Sequence, residues 1–179
     1  MARGILIAAP RRAAWSVLAF LAAWPAFAEP DRIRCRGGGA EGLDLVRVAV
    51  ASPFYRWLAA RHGTAETCRI RRSDGRYDAV LGFADTAAMT IVATPEIGAA
   101  SYEASATTPP TAAEAAALLA AMDHWVAGPG GCGLSPAHLR AAARSTAPET
   151  VVEGHVCNCR ATVRRGAAGI AALSFGSAC

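Results

Sequence analysis

The stretch CRIRRSDGRYDAVLGF, residues 68–83, decides how we expect this chain to fold. Its first residues alternate, with Cys68 and Ile70 on one face and two arginines on the other. The turn-forming triplet Ser-Asp-Gly follows, and apolar residues then recur at every second position from Tyr77 to Phe83. A period of two is typical of strands that bury one face. The stretch therefore predicts two consecutive strands, joined by a tight turn and packed on a core through one face.

The same alternation appears shortly before this stretch. The sequence Arg-Ile-Arg-Cys-Arg, residues 32–36, places Ile33 and Cys35 on one face of a strand and the arginines on the other. Two such strands side by side would bring Cys35 next to Cys68. We therefore predict a disulfide bond between these two cysteines.

The remaining elements follow from caps, breakers and periodicity. Helices are predicted where Ser or Thr precedes proline or an alanine-rich run, and they are predicted to end at glycine. The predicted elements are a strand over residues 43–50, a helix from Ser52 to Gly63, strands over residues 88–94 and 99–105, a helix from the Thr111/Glu114 capping box to Gly128, a shorter helix from Ser135, and strands over residues 150–164 and 169–175. This order predicts an α+β fold, with antiparallel sheet or sheets and about three helices.

The first 28 residues have the pattern of a secretory signal peptide. Arginines precede an uncharged apolar run that ends in Ala26-Phe27-Ala28, a small-x-small cleavage pattern. The run is shorter than the roughly 20 residues of a membrane-spanning helix, which argues against the alternative of an uncleaved anchor. We predict cleavage before Glu29 and one disulfide-stabilised domain over residues 29–179. Arginine without lysine and abundant alanine indicate a bacterial source, so we expect a periplasmic or secreted protein.

The charge balance of the exported part argues against one class of partner. Three of the 18 basic residues lie in the signal peptide, which leaves 18 − 3 = 15 against 14 acidic residues. A nucleic-acid-binding protein is expected to carry a strong basic excess. We therefore expect a protein or small-molecule partner of unknown identity, with no nucleic acid, no cofactor and no stable membrane span after cleavage.

All six cysteines lie beyond the predicted cleavage site, at positions 35, 68, 132, 157, 159 and 179. An even number of cysteines in an exported chain predicts a disulfide framework. The segment GHVCNCR, residues 154–160, sets two of them two residues apart. If this segment is a strand, Cys157 and Cys159 leave the same face too far apart to bond each other. We therefore predict two separate disulfides, with Cys132 and Cys179 as the partners in an order that the sequence leaves open.

A metal site is the first alternative reading of the same segment. On a strand, His155 would share a face with Cys157 and Cys159, and a closed site needs four ligands. His124, His138 or Cys132 could supply the fourth. The spacing is not that of a zinc knuckle or ribbon, and a C-x-x-C redox motif is absent.

A thiol enzyme is the second alternative, either a hydrolase or an oxidoreductase. Cys132 lies just ahead of a predicted helix start, where the helix dipole lowers a thiol pKa, and His124 and His138 are near in sequence. A catalytic Cys132 would leave an odd number of cysteines for the framework. We therefore expect a binding or accessory role rather than catalysis.

Overall fold

The structure, a computed structural model, describes residues 33–178. The predicted signal peptide and Cys179 lie outside this range. The described elements in chain order are β1 (Cys35–Arg36), α1 (Gly39–Val50), α2 (Pro53–His62), β2 (Thr67–Ser73), β3 (Arg76–Gly82), β4 (Ala88–Thr94), β5 (Ala99–Ser105), α3 (Ala112–Ala127), α4 (Pro136–Arg144), β6 (Glu149–Glu153), β7 (Arg160–Gly166) and β8 (Gly169–Ala178).

The eight strands form one sheet in the order β1-β2-β3-β4-β5-β8-β7-β6. Two antiparallel meanders, β2 to β5 and β6 to β8, meet where β5 pairs antiparallel with β8. The two-residue strand β1 pairs parallel with β2, which places Cys35 opposite Cys68. The sheet is therefore mixed, whereas the sequence predicts only antiparallel pairing.

The four helices cover one face of the sheet, and the core lies between the two layers. Alternate residues of β3 show the division, since Tyr77, Ala79 and Leu81 are buried while Val80 is 43% exposed on the opposite face. Phe175 of β8 lies fully buried at the centre of the sheet. The described residues are thus an α+β arrangement stabilised by disulfide bonds.

Local sequence signals place most helix ends correctly. Thr111 and Glu114 form the predicted capping box at the start of α3, and Ser52 and Ser135 accept hydrogen bonds from the third backbone amides of α2 and α4. The pKa of Glu114 is lowered to about 2, chiefly because its carboxylate accepts the backbone N–H of Thr111, with a further contribution from the hydrogen bond of Arg61. These caps confirm the predicted starts of all three helices.

The predicted strand over residues 43–50 is wrong, because this segment forms the last eight residues of helix α1. Val46 and Ala49 are buried one turn apart, while Asp44 and Arg47 form an exposed ion pair at 2.9 Å. The preceding glycines turn the chain with positive φ values, and at Gly38 a Cβ would lie 2.4 Å from the side chain of Ile70. This close approach to β2 fixes where α1 begins. Consequently the described residues contain four α-helices instead of about three.

Candidate functional site

The segment that sequence analysis singled out is a turn and not a strand. Residues 154–159 connect β6 to β7, and the amide of Gly154 donates to the carbonyl of Cys159 at 2.8 Å. Cys157 and Asn158 adopt positive φ values of 56° and 44°. The expectation that His155, Cys157 and Cys159 share one strand face is therefore wrong, because the hairpin closes within the segment instead of continuing through it.

A disulfide bond joins this turn to the loop between α3 and α4. Cys132 is bonded to Cys159, and both residues are buried. The carbonyl of Cys132 accepts the amides of His155 and Val156 at 3.0 and 3.1 Å. On the helix side, the Cys132 amide donates to the buried carboxylate of Asp123 at 2.7 Å. The sulfur bond and these backbone contacts together attach the interhelix loop to the sheet.

The other cysteines are also oxidised where the structure describes them. Cys35 is bonded to Cys68, as the strand pattern predicts. Cys157 is disulfide-bonded and cannot be bonded to Cys159, which is held by Cys132. The amide of Ala178 donates to the carbonyl of Cys157 at 2.8 Å, which brings the end of β8 to this turn. A bond between Cys157 and Cys179 stays a prediction, since Cys179 lies outside the described residues.

The alternatives based on free thiolates do not match this arrangement. The sulfurs of Cys132, Cys157 and Cys159 all take part in disulfide bonds, and a thiolate is what both a nucleophile and a metal ligand require. Within residues 33–178, no group of three or more His, Cys, Asp and Glu side chains is arranged to hold a metal ion. His124, His138 and His155 are all exposed. The structure thus gives residues 132 and 154–159 a structural role.

A cleft of about 390 Å³ lies at the other end of the sheet, beside α1. Its apolar wall consists of Leu45 and Val48 from α1 and Pro95 from the turn between β4 and β5. Val48 is 53% exposed and so presents apolar surface to the cleft. The polar lining comes from α1, from the ends of β2 and β3, and from the same turn. Its charged members are three carboxylates and one guanidinium, from Glu41, Asp44, Glu96 and Arg72.

Tyr77 lines the cleft and links two of the elements around it. The residue is almost completely buried, yet its hydroxyl reaches Glu41 of α1 and donates a hydrogen bond to that carboxylate. This hydrogen bond is the main reason why the pKa of Tyr77 is raised; desolvation adds to the rise and the charge of Arg72 opposes it. The guanidinium of Arg72 lies over the tyrosine ring, 5.3 Å from its centroid.

Glu96 stands opposite α1 and has a different environment from the other two carboxylates. Glu41 accepts the tyrosine hydroxyl and Asp44 is paired with Arg47, but among residues 33–178 Glu96 forms no ion pair. Its carboxylate lies against the turn between β2 and β3. A Cβ at Gly75 would be 3.1 Å from Glu96 Oε1, and Gly75 has a φ of +75°. The turn needs glycine for its backbone conformation, and a Cβ there would require the carboxylate to shift slightly.

Sequence analysis did not identify this cleft, although one signal was present. Glu41, Asp44, Leu45 and Val48 follow the i, i+3, i+4, i+7 spacing of one helix face. Assigning residues 43–50 to a strand hid that spacing.

Comparisons of the chain with protein families, curated proteins and solved structures find no match. None of the helices within the described range is long and apolar enough to cross a membrane.

Proposed function

We propose that this protein is an exported, disulfide-stabilised domain with a binding role, and that the cleft beside α1 is its binding site. The observation that carries the proposal is the composition of the cleft. Small-molecule sites are concave, measure roughly 300–1,000 Å³, and combine apolar walls with a few polar groups. The cleft has this size and this mixture of an apolar wall, a buried tyrosine and separately held carboxylates.

Export is supported by the oxidised state of the cysteines. Disulfides persist in oxidising compartments such as the bacterial periplasm and are rare in the cytosol. Two complete disulfides connect elements that are 33 and 27 residues apart in sequence. A binding role is favoured over a thiol-enzyme role because the bond between Cys132 and Cys159 consumes the sulfur that such an enzyme would use.

A fragment screen followed by amide chemical-shift mapping tests the proposed site. We expect the fragments that bind to perturb the amides of α1, of the turn between β2 and β3, and of residues 95–97. Val48→Trp should fill the cleft and weaken the binding of these fragments at least roughly tenfold, because it removes the apolar space that they occupy.

The matched control is Val80→Trp, which places the same side chain on the open face of the sheet, where Val80 is 43% exposed. This variant should bind the fragments like the wild type. Fragments whose shifts map outside the cleft, or whose affinity is unchanged by Val48→Trp, would show that the site is elsewhere.

A further inference from the structure

We infer that the ligand of this cleft is a small organic cation, with one ammonium or guanidinium group attached to a short apolar body. The inference rests on the proposed function, because it names the class of ligand for the same site. It follows from the charges in the lining, from the position of Glu96, and from the exposed apolar wall.

The charges of the lining determine whether a cationic or an anionic ligand is favoured. Asp44 is paired with Arg47. This leaves the carboxylates of Glu41 and Glu96 against the guanidinium of Arg72, so the lining is negative overall. The single positive group, Arg72, is already placed over the ring of Tyr77. An anionic ligand would gain a contact with Arg72 and meet repulsion from Glu41 and Glu96, whereas a cation would be attracted by these two carboxylates and repelled only by Arg72.

Glu96 is the group that we assign to the cationic head. Glu41 is occupied by the hydroxyl of Tyr77 and Asp44 by Arg47, while Glu96 forms no ion pair within the described range. The absence of a side chain at Gly75 allows its carboxylate to lie against the turn. Glu96 is exposed to solvent, so a charge-assisted hydrogen bond from a ligand N–H would replace its contacts with water and break no ion pair.

The apolar wall determines the rest of the ligand. Leu45, Val48 and Pro95 offer apolar surface beside the carboxylates, and more than half of Val48 is exposed. A partly exposed ion pair contributes little by itself because water screens it. An apolar body that covers this wall therefore has to supply much of the affinity, which favours an organic cation over a bare inorganic one.

Titration of ¹⁵N-labelled protein with three probes of similar shape tests the inference. The probes are 2-phenylethylamine, the neutral 2-phenylethanol and the anionic 3-phenylpropionate. We expect the amine to perturb the cleft amides, the alcohol to bind roughly tenfold more weakly, and the acid not to bind. Added salt should weaken the binding of the amine and leave that of the alcohol unchanged.

Two variants assign the effect to one carboxylate. Glu96→Gln should weaken the binding of the amine roughly three- to tenfold and leave that of the alcohol unchanged, because glutamine lacks the charge of glutamate but has nearly the same shape. Glu149→Gln, on the exposed far edge of the sheet, makes the same change outside the cleft and should leave both affinities unchanged.

The outcomes separate this inference from the proposed function. If the alcohol binds in the cleft as tightly as the amine, the assignment of a cationic ligand is wrong and the binding site stands. If the amine binds more tightly but Glu96→Gln has no effect, the assignment of Glu96 to the cationic group is wrong. If neither the probes nor any screened fragment perturbs the cleft, both proposals fail. Blocked lysine, Nα-acetyl-lysine methylamide, presents its ammonium as a protein side chain does; tighter binding of this probe would point to a protein partner and overturn the small-molecule ligand.

Discussion

Replacing both Cys132 and Cys159 by alanine should lower the free energy of unfolding by about 3–4 kcal/mol. The bond closes a loop between residues that are 27 apart in sequence, and the loss of that constraint stabilises the unfolded chain. Urea unfolding of the double variant measures the effect. Binding in the cleft should be unaffected, because the cleft is built from α1, the ends of β2 and β3, and the turn after β4.

The control for this prediction is the double variant Cys35→Ala, Cys68→Ala. Its bond joins residues that are 33 apart in sequence, so its removal should lower the free energy of unfolding by a similar amount. Only the first double variant should shift the amide resonances of residues 154–159, because Cys159 belongs to that turn. A loss of stability below about 1 kcal/mol in the first variant, or unchanged turn resonances, would contradict the structural role of the Cys132–Cys159 bond.

Phe175→Ala should have a comparable effect, lowering the free energy of unfolding by about 3–5 kcal/mol. Phe175 is fully buried on β8, between Tyr102 of β5 and Ala161 of β7. Its truncation leaves a cavity where the two meanders join, which the surrounding strands fill only in part. Thermal and urea unfolding both measure the change.

Val80→Ala is the matched control on the opposite face of the same sheet. Because Val80 is partly exposed, its truncation creates no cavity and should cost less than about 1 kcal/mol. Equal losses for the two variants would mean that the buried face of the sheet is assigned wrongly.

Elements fixed by local chemistry were predictable from the sequence. The strands on either side of the Ser-Asp-Gly turn follow the period-two pattern, and Ser52, Thr111 and Ser135 start their helices through hydrogen bonds to nearby amides. In each case the stabilising contact lies within a few residues, so a single sequence contains it.

Elements fixed by distant contacts were not predictable in the same way. The apolar residues of segment 43–50 fit a strand or a helix, and the packing of the preceding glycines on Ile70 of β2 favours the helix. Residues 154–159 alternate like a strand, but the carbonyl of Cys132, more than 20 residues earlier, accepts two of their amides. The helical wall of the cleft could have been recognised from its spacing, but the complete cleft could not, because Glu41, Tyr77 and Glu96 meet only after the sheet has assembled.

The claim of an exported, disulfide-stabilised domain is tested most directly by non-reducing peptide mapping. The protein for this measurement is recovered from the bacterial periplasm. The account predicts a chain that begins at Glu29, has no free thiol, and contains the pairs Cys35–Cys68, Cys132–Cys159 and Cys157–Cys179. A chain that begins at Met1 with reactive thiols, or a peptide in which Cys157 is bonded to Cys159, would contradict it.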